Sequence, residues 1–211
     1  MKIYVIRHGE TNDNKRAVFQ GSNDIPLNEK GIDLAKITGE AIKGVKFDVC
    51  YSSTLDRAKK TAELVLKHSG NEKTPIIYDE RLKELDCGDW EGRSARKEDK
   101  EVPSLQLKLF KKNLLFAGRP RNGENVFELM KRTQQVLKEI SEKDYKTVLV
   151  STHGAALRAM LHRLYKNKLD YWQGHVPYNC SISIVEVKNG KMKLLESDKI
   201  FYDKKLVDNL F

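Results

Sequence analysis

Tyr4-Val5-Ile6-Arg7-His8-Gly9 and Leu149-Val150-Ser151-Thr152-His153-Gly154 share one pattern. Each is an apolar run, then a polar residue, then His-Gly. Short β-branched runs of this kind read as buried strands, and a glycine lets the chain turn where they end. Working outward, strands are expected at Lys2–Ile6, Phe47–Tyr51, Pro75–Tyr78 and Thr147–Ser151. Helices are expected at Glu29–Lys43, from about Leu55 to just before Gly70, at Glu124–Glu142 and at Ala155–Tyr165. Ser181–Val187 and Met192–Glu196 flank Asn189-Gly190, a strong hairpin signal. Strands alternating with helices predict an α/β fold. We expect a three-layer α/β/α sandwich with a mostly parallel central sheet and an antiparallel strand or hairpin near the C-terminus. The polar stretch Gly9–Asn28 reads as a long loop, which in a compact domain is usually functional. With no repeat and no linker, residues 1–211 read as one domain. Residues 86–123 are the least regular part, with a helix expected over Ser104–Ala117 and a turn at Gly118-Arg119-Pro120.

In a parallel α/β sheet, ligands bind outside the carboxyl ends of the strands. His8 and His153 would both sit there, and would face each other if their strands are neighbours. Arg57 falls in the first turn of its helix, a poor place for a cation by the helix dipole. It is a candidate for an anion shared with the exposed helix N–H groups. Glu84, after the third strand, can reach the same edge.

Composition narrows the classes. The 211 residues are 39% hydrophobic and 33% charged, which excludes disordered and low-complexity proteins. No apolar run approaches the ~18 residues of a membrane span, and Ile3-Tyr4-Val5-Ile6 is too short for a signal-peptide core. Three cysteines without CxxC spacing argue against a disulfide framework or a zinc site. A cytoplasmic protein is expected. The net charge of +9 suggests anionic partners. Arg93 to Arg121 holds nine basic and three acidic residues, two thirds of that excess.

At this point the residues resemble the histidine phosphatase superfamily, also called the phosphoglycerate mutase-like family. Arg7-His8-Gly9-Glu10-Thr11 looks like its RHGET motif. Asn14 and Gln20-Gly21 match its phosphate-binding loop positions, and Asp24-Ile25-Pro26-Leu27 through Gly31 its "PL…G" segment. Ser52-Ser53-Thr54-Leu55-Asp56-Arg57-Ala58, then Thr61-Ala62, matches the segment of its second phosphate-binding arginine. Glu84 with Gly88-Asp89-Trp90-Glu91-Gly92 matches its proton-donor region. Gly123-Glu124-Asn125 resembles its "GES" with Asn for Ser. His153-Gly154 matches its second histidine, and Asn179-Cys180-Ser181 a late strand motif.

The resemblance implies a phosphomonoester hydrolase that works through a phosphohistidine on a small phosphorylated metabolite. His8 is then the nucleophile and Glu84 the acid that protonates the leaving oxygen. Arg7, Asn14, Gln20, Gly21, Arg57, His153 and Gly154 bind the phosphoryl group, with Thr11 as hydrogen-bonding support. Phosphomonoester hydrolysis needs up to ~10²¹-fold acceleration, and one positioned acid supplies only ~10²–10⁴-fold. Positioning and charge at the phosphoryl oxygens must supply the rest. Arg and His side chains suit that task without a metal, and neither a metal nor a cofactor is expected.

Three rivals remain. A cofactor-dependent phosphoglycerate mutase shares the motifs, but the stretch from Glu84 to Gly92 looks like the phosphatase branch. Cys87-Gly88-Asp89-Trp90-Glu91-Gly92-Arg93-Ser94 fits C-x(5)-R-S, the cysteine-phosphatase loop, yet Asp86, Asp89 and Glu91 put negative charge where phosphate would sit. A basic nucleic-acid-binding protein is the non-enzyme rival. The Arg93–Arg121 segment lacks interleaved aromatics, and we read it as part of a lid over about 86–123 that favours substrates with a second anionic group. His68, His162 and His175 are read as structural or surface residues, with His175 a further candidate to line the site.

Overall fold

The computed structural model describes residues 1–96, 98–106, 108 and 120–206. The β-branched runs form the strands β1 (Lys2–Arg7), β2 (Val49–Ser52), β3 (Ile76–Tyr78) and β4 (Thr147–Thr152). The Asn189-Gly190 turn joins β5 (Ile182–Lys188) to β6 (Lys191–Lys199). Both turn residues have positive φ, 50° and 71°, as the two-residue hairpin requires. The sheet order is β3-β2-β4-β1-β5-β6. The β1–β4, β2–β4 and β2–β3 pairs are parallel, and β1–β5 and β5–β6 antiparallel.

Alternation along the strands builds the layers. Ile3, Val5, Val49, Val148 and Val150 face one side, against Val136, Leu137 and Ile140 of helix α4 (Val126–Ser141) and Leu157 and Met160 of α5 (Gly154–Leu161). Ile6, Cys50 and Leu149 face the other, against Leu34 and Ala35 of α2 (Glu29–Ala41) and Ala62, Val65 and Leu66 of α3 (Asp56–His68). The expected sandwich is therefore present, with β6 as its lysine-bearing edge.

Two expectations need correction. The Gly9–Asn28 stretch is not all loop: Asn12–Arg16 form a short helix, α1. Thr11 caps it, taking the Asn14 N–H while the Asn14 side chain takes the Thr11 N–H. Five residues show no hydrophobic period, so capping chemistry was the only signal. The helix expected over Ala155–Tyr165 ends at Leu161 and continues as a 3-10 turn, His162–Leu164. The helix expected over Ser104–Ala117 and the turn at 118–120 lie for the most part outside the described residues.

Candidate active site

Because β1 and β4 run parallel with Arg7 opposite Thr152, the next residues of both strands emerge side by side. The His8 and His153 rings lie 5.1 Å apart, tilted by 57°. His8 is buried, and its Nδ1 lies 2.7 Å from Gly9 O. A carbonyl only accepts, so Nδ1 carries the proton and Nε2 keeps a lone pair. Burial first, then the charges of Arg57 and Arg7, hold the ring well below the ordinary histidine range. The turn after His8 is packed backbone to backbone. A Cβ on Gly9 would stand 2.5 Å from Gly31 O, and one on Gly31 would stand 2.1 Å from Glu10 O.

Arg57 is fully buried at the start of α3. It donates from Nε to His153 Nδ1 at 3.2 Å, from Nη1 to Asn23 O at 2.6 Å and from Nη2 to Gly21 O at 2.8 Å. His153 Nδ1 therefore accepts, and Nε2 carries the proton and faces Ser53 Oγ at 2.8 Å. Burial first and then Arg57 push this ring, too, well below its ordinary value. Both of its nitrogens have partners, and it lies behind the cleft wall rather than on it. Gly21 has φ +50°, and a Cβ there would overlap the Glu91 carboxylate, so glycine suits this turn best.

The cleft outside His8 is lined by Arg7, Asn14, Gln20, Gly21, Arg57, Glu84 and Gly154. Arg7 Nη1 donates to Pro177 O, while its buried Nε has no partner. Asn14 Oδ1 accepts from Thr11 N at 3.2 Å and from Asn179 Nδ2 at 3.2 Å, which leaves its amide donors to the cleft. Gln20 is set the same way: Thr11 Oγ1 donates to its Oε1 at 3.0 Å. Thr11 stands behind both as support and is itself off the wall.

Glu84 is held by the first turn of α5. Its Oε1 accepts from Leu85 N at 2.9 Å and Ala156 N at 3.0 Å, and its Oε2 accepts from Ala155 N at 3.2 Å. A Cβ on Gly154 would lie 3.5 Å from Arg7 Nε and 3.6 Å from Glu84 Oε2. Gly154 therefore keeps open the space those two groups share.

Much of the remaining wall is apolar and was not read from the sequence: Val18, Phe19, Leu85, Ala155, Trp172 and Val176. These residues carry no polar signal, and scattered stretches supply them. Asn179, read only as part of a motif, also donates to His8 O at 3.0 Å. His175 lines the cleft, with Nε2 3.5 Å from Asp198 Oδ2, which pairs with the buried Arg158. Cys87 reaches the wall as a protonated thiol. Burial first, then Glu84, Glu91 and Asp86, raise it well above the thiol range, and its Sγ donates to Leu85 O. Arg93 is turned away to Glu101 O, so this stretch makes no anion cradle. No group of three His, Cys, Asp or Glu side chains among the described residues is placed to hold a metal ion.

Two cations, a neutral imidazole with a free lone pair and a carboxylate thus converge on one cleft, which suits a phosphate ester. Comparison with known proteins agrees. The chain is 30% identical over 206 residues to the adenosylcobalamin/alpha-ribazole phosphatase of Escherichia coli, covering 95% of this chain and 98% of that one. It is 30% identical over 192 residues to the 2,3-bisphosphoglycerate-dependent phosphoglycerate mutase of Chlamydia abortus, covering 78% and 84%. The solved structure of Bacillus stearothermophilus YhfR superposes with a TM-score of 0.85 at 31% identity, covering 94% and 97%. The family model of the histidine phosphatase superfamily (branch 1) matches residues 3–199. The chain belongs to that superfamily.

Proposed function

We propose that the protein is a phosphomonoester hydrolase that passes the phosphoryl group through His8. The supporting observation is the state of that ring: Nδ1 tied to Gly9 O, Nε2 unprotonated, and burial beside Arg57 and Arg7 keeping it neutral. A neutral imidazole is the form that attacks phosphorus. Arg7, with its unpartnered Nε, and the amide donors of Asn14 and Gln20 receive the phosphoryl oxygens, beside Arg57 and Gly21. His153 acts from behind by fixing Arg57.

The Nε2–P bond forms as the bond to the leaving oxygen breaks, and Glu84 gives that oxygen a proton. Oε1 already takes two N–H bonds and Oε2 only one, so Oε2 is the oxygen with a lone pair left to exchange that proton. In the second half, water attacks the phosphohistidine, Glu84 takes the water's proton, and His8 and inorganic phosphate are released. The cations supply the charge that a metal supplies elsewhere. The apolar wall packs the carbon body of the alcohol. The lid over about 86–123, of which residues 97, 107 and 109–119 lie outside the described residues, recognises a second anionic group.

Quench-trapping with phosphorus-labelled substrate tests the reading. The expected product is an acid-labile, base-stable phosphoramidate on His8, formed equally well in EDTA. His8→Ala should take no label, and Cys87→Ser should remain active. Label on Cys87, or turnover in His8→Ala, would point to another mechanism. The relatives include both phosphatases and mutases, so the substrate panel must include phosphoglycerate isomerisation. Isomerisation outrunning phosphate release would make the protein a mutase.

A further inference from the structure

Glu84 lies on backbone without regular pairing. After the 3-10 turn Glu80–Leu82 the chain runs irregularly to the next turn, Gly88–Trp90. Carbonyls on such a stretch must find partners elsewhere, and here side chains supply them. Thr152 Oγ1 donates to Leu82 O at 2.8 Å. Arg132, on α4, donates from Nη1 to Arg81 O and Lys83 O, each at 2.7 Å, and from Nη2 to Glu84 O at 2.8 Å. Its other donors go to Glu124, Nε to Oε1 and Nη2 to Oε2, both at 2.7 Å. Every N–H of the guanidinium is engaged. Glu124 also donates its backbone N–H to Asp86 O at 2.9 Å, so the pair grips the chain on both sides of Glu84.

We infer that Arg132, locked by Glu124, is a positioning residue that sets where Glu84 presents its acid to the leaving oxygen. The role rests on Glu84 being that acid. Arg132 does not line the cleft; it acts through the Glu84 backbone. The two-pronged pairing with Glu124 offsets its charge, so what it imparts is geometry more than field. A rigid fork that satisfies three carbonyls and a carboxylate is something a lysine ammonium cannot reproduce. A misplacement of about 1 Å at a reacting group can cost ~10²-fold.

The test compares leaving groups through kcat/KM, which reads only the steps up to departure of the alcohol. An alkyl ester such as glycerol 2-phosphate needs the proton; p-nitrophenyl phosphate leaves without one. Arg132→Gln should lower kcat/KM for the alkyl ester by about 10²-fold and for the aryl ester far less. Glu84→Gln should show the same selectivity, and the double variant should be no slower on the alkyl ester than Glu84→Gln alone. Arg132→Lys should fall between, and it carries the test if thermal denaturation shows the Gln variant unfolded. Equal losses on both esters beside a selective Glu84→Gln overturn the positioning role, as do additive losses in the double variant. An unselective Glu84→Gln overturns the acid role itself, and the positioning role with it.

Discussion

His8 Nδ1 is fixed by one carbonyl, and the burial that keeps the ring neutral also makes it costly to charge. His153 shares that cost, through burial, Arg57 and His8. The sign of the pH effect follows. Unfolded, each ring takes a proton near 6.5, while folded it resists until well below 6.5. As pH falls past 6.5 the unfolded state binds more protons and stability is lost. Urea unfolding in phosphate-free buffer at pH 7.5 and 5.0 should therefore show His8→Asn losing less stability than wild type over that interval. A pH-independent difference between the two proteins would mean that the folded His8 takes up its proton as readily as the unfolded one. At this scale the sequence exposed most of the polar residues that the cleft brings together, because His, Arg and Glu after strand ends are conspicuous. It did not expose their partners. Nothing local says that His153 turns both nitrogens to Arg57 and Ser53, which lie about a hundred residues away in the chain.

The elements were legible to the extent that they carry a period. β1 and β4 alternate their apolar residues between two core clusters, and that alternation is written in the sequence. α1 has no such period. The irregular stretch around Glu84 has none either, since side chains of α4 and β4 hold it rather than its own backbone pattern. The first turn of α5 shows how an element makes a site. Its N–H groups at Ala155 and Ala156 hold the Glu84 carboxylate, and its first residue must stay small. Gly154→Ala would set a methyl 3.2 Å from Val176 Cγ1 and at 3.5–3.6 Å from Arg7 Nε and Glu84 Oε2. Val176 can yield a few tenths of an ångström, and alanine suits a helix better than glycine by ~0.5–1 kcal/mol. The fold should therefore hold, with the melting temperature unchanged or raised. The methyl occupies the space between cation and acid, and kcat/KM should drop at least ~10-fold, a barrier change of about 1.4 kcal/mol. Full activity in Gly154→Ala would place the transferring group elsewhere in the cleft.

At the scale of the whole molecule, charge and shape divide the cleft's work. The apolar wall draws Phe19, Leu85, Trp172 and Val176 from separate stretches, and only the fold could bring them together. The charge, by contrast, was legible from the first count, since the net +9 is a property of the sequence. Among the described lining residues the permanent cations are Arg7 and Arg57, both at the His8 end. If the substrate carries a second anionic group, charges farther out must meet it, and Arg93 to Arg121 is the basic run that the family resemblance leads us to expect there. Such a field raises the capture rate of anions. It fades with ionic strength, since the Debye length is about 10 Å at 0.1 M. For esters with a further carboxylate or phosphate, kcat/KM should fall with salt more steeply than for p-nitrophenyl phosphate. Neutralising Lys108, Lys111 and Lys112 together, the last two outside the described residues, should flatten that difference and leave kcat nearly unchanged. Rates for both substrate classes, measured from 20 mM to 500 mM salt, separate this from general screening of the net charge. A slope that ignores the second anion would leave the basic run as a solvated face and the apolar wall as the main source of specificity.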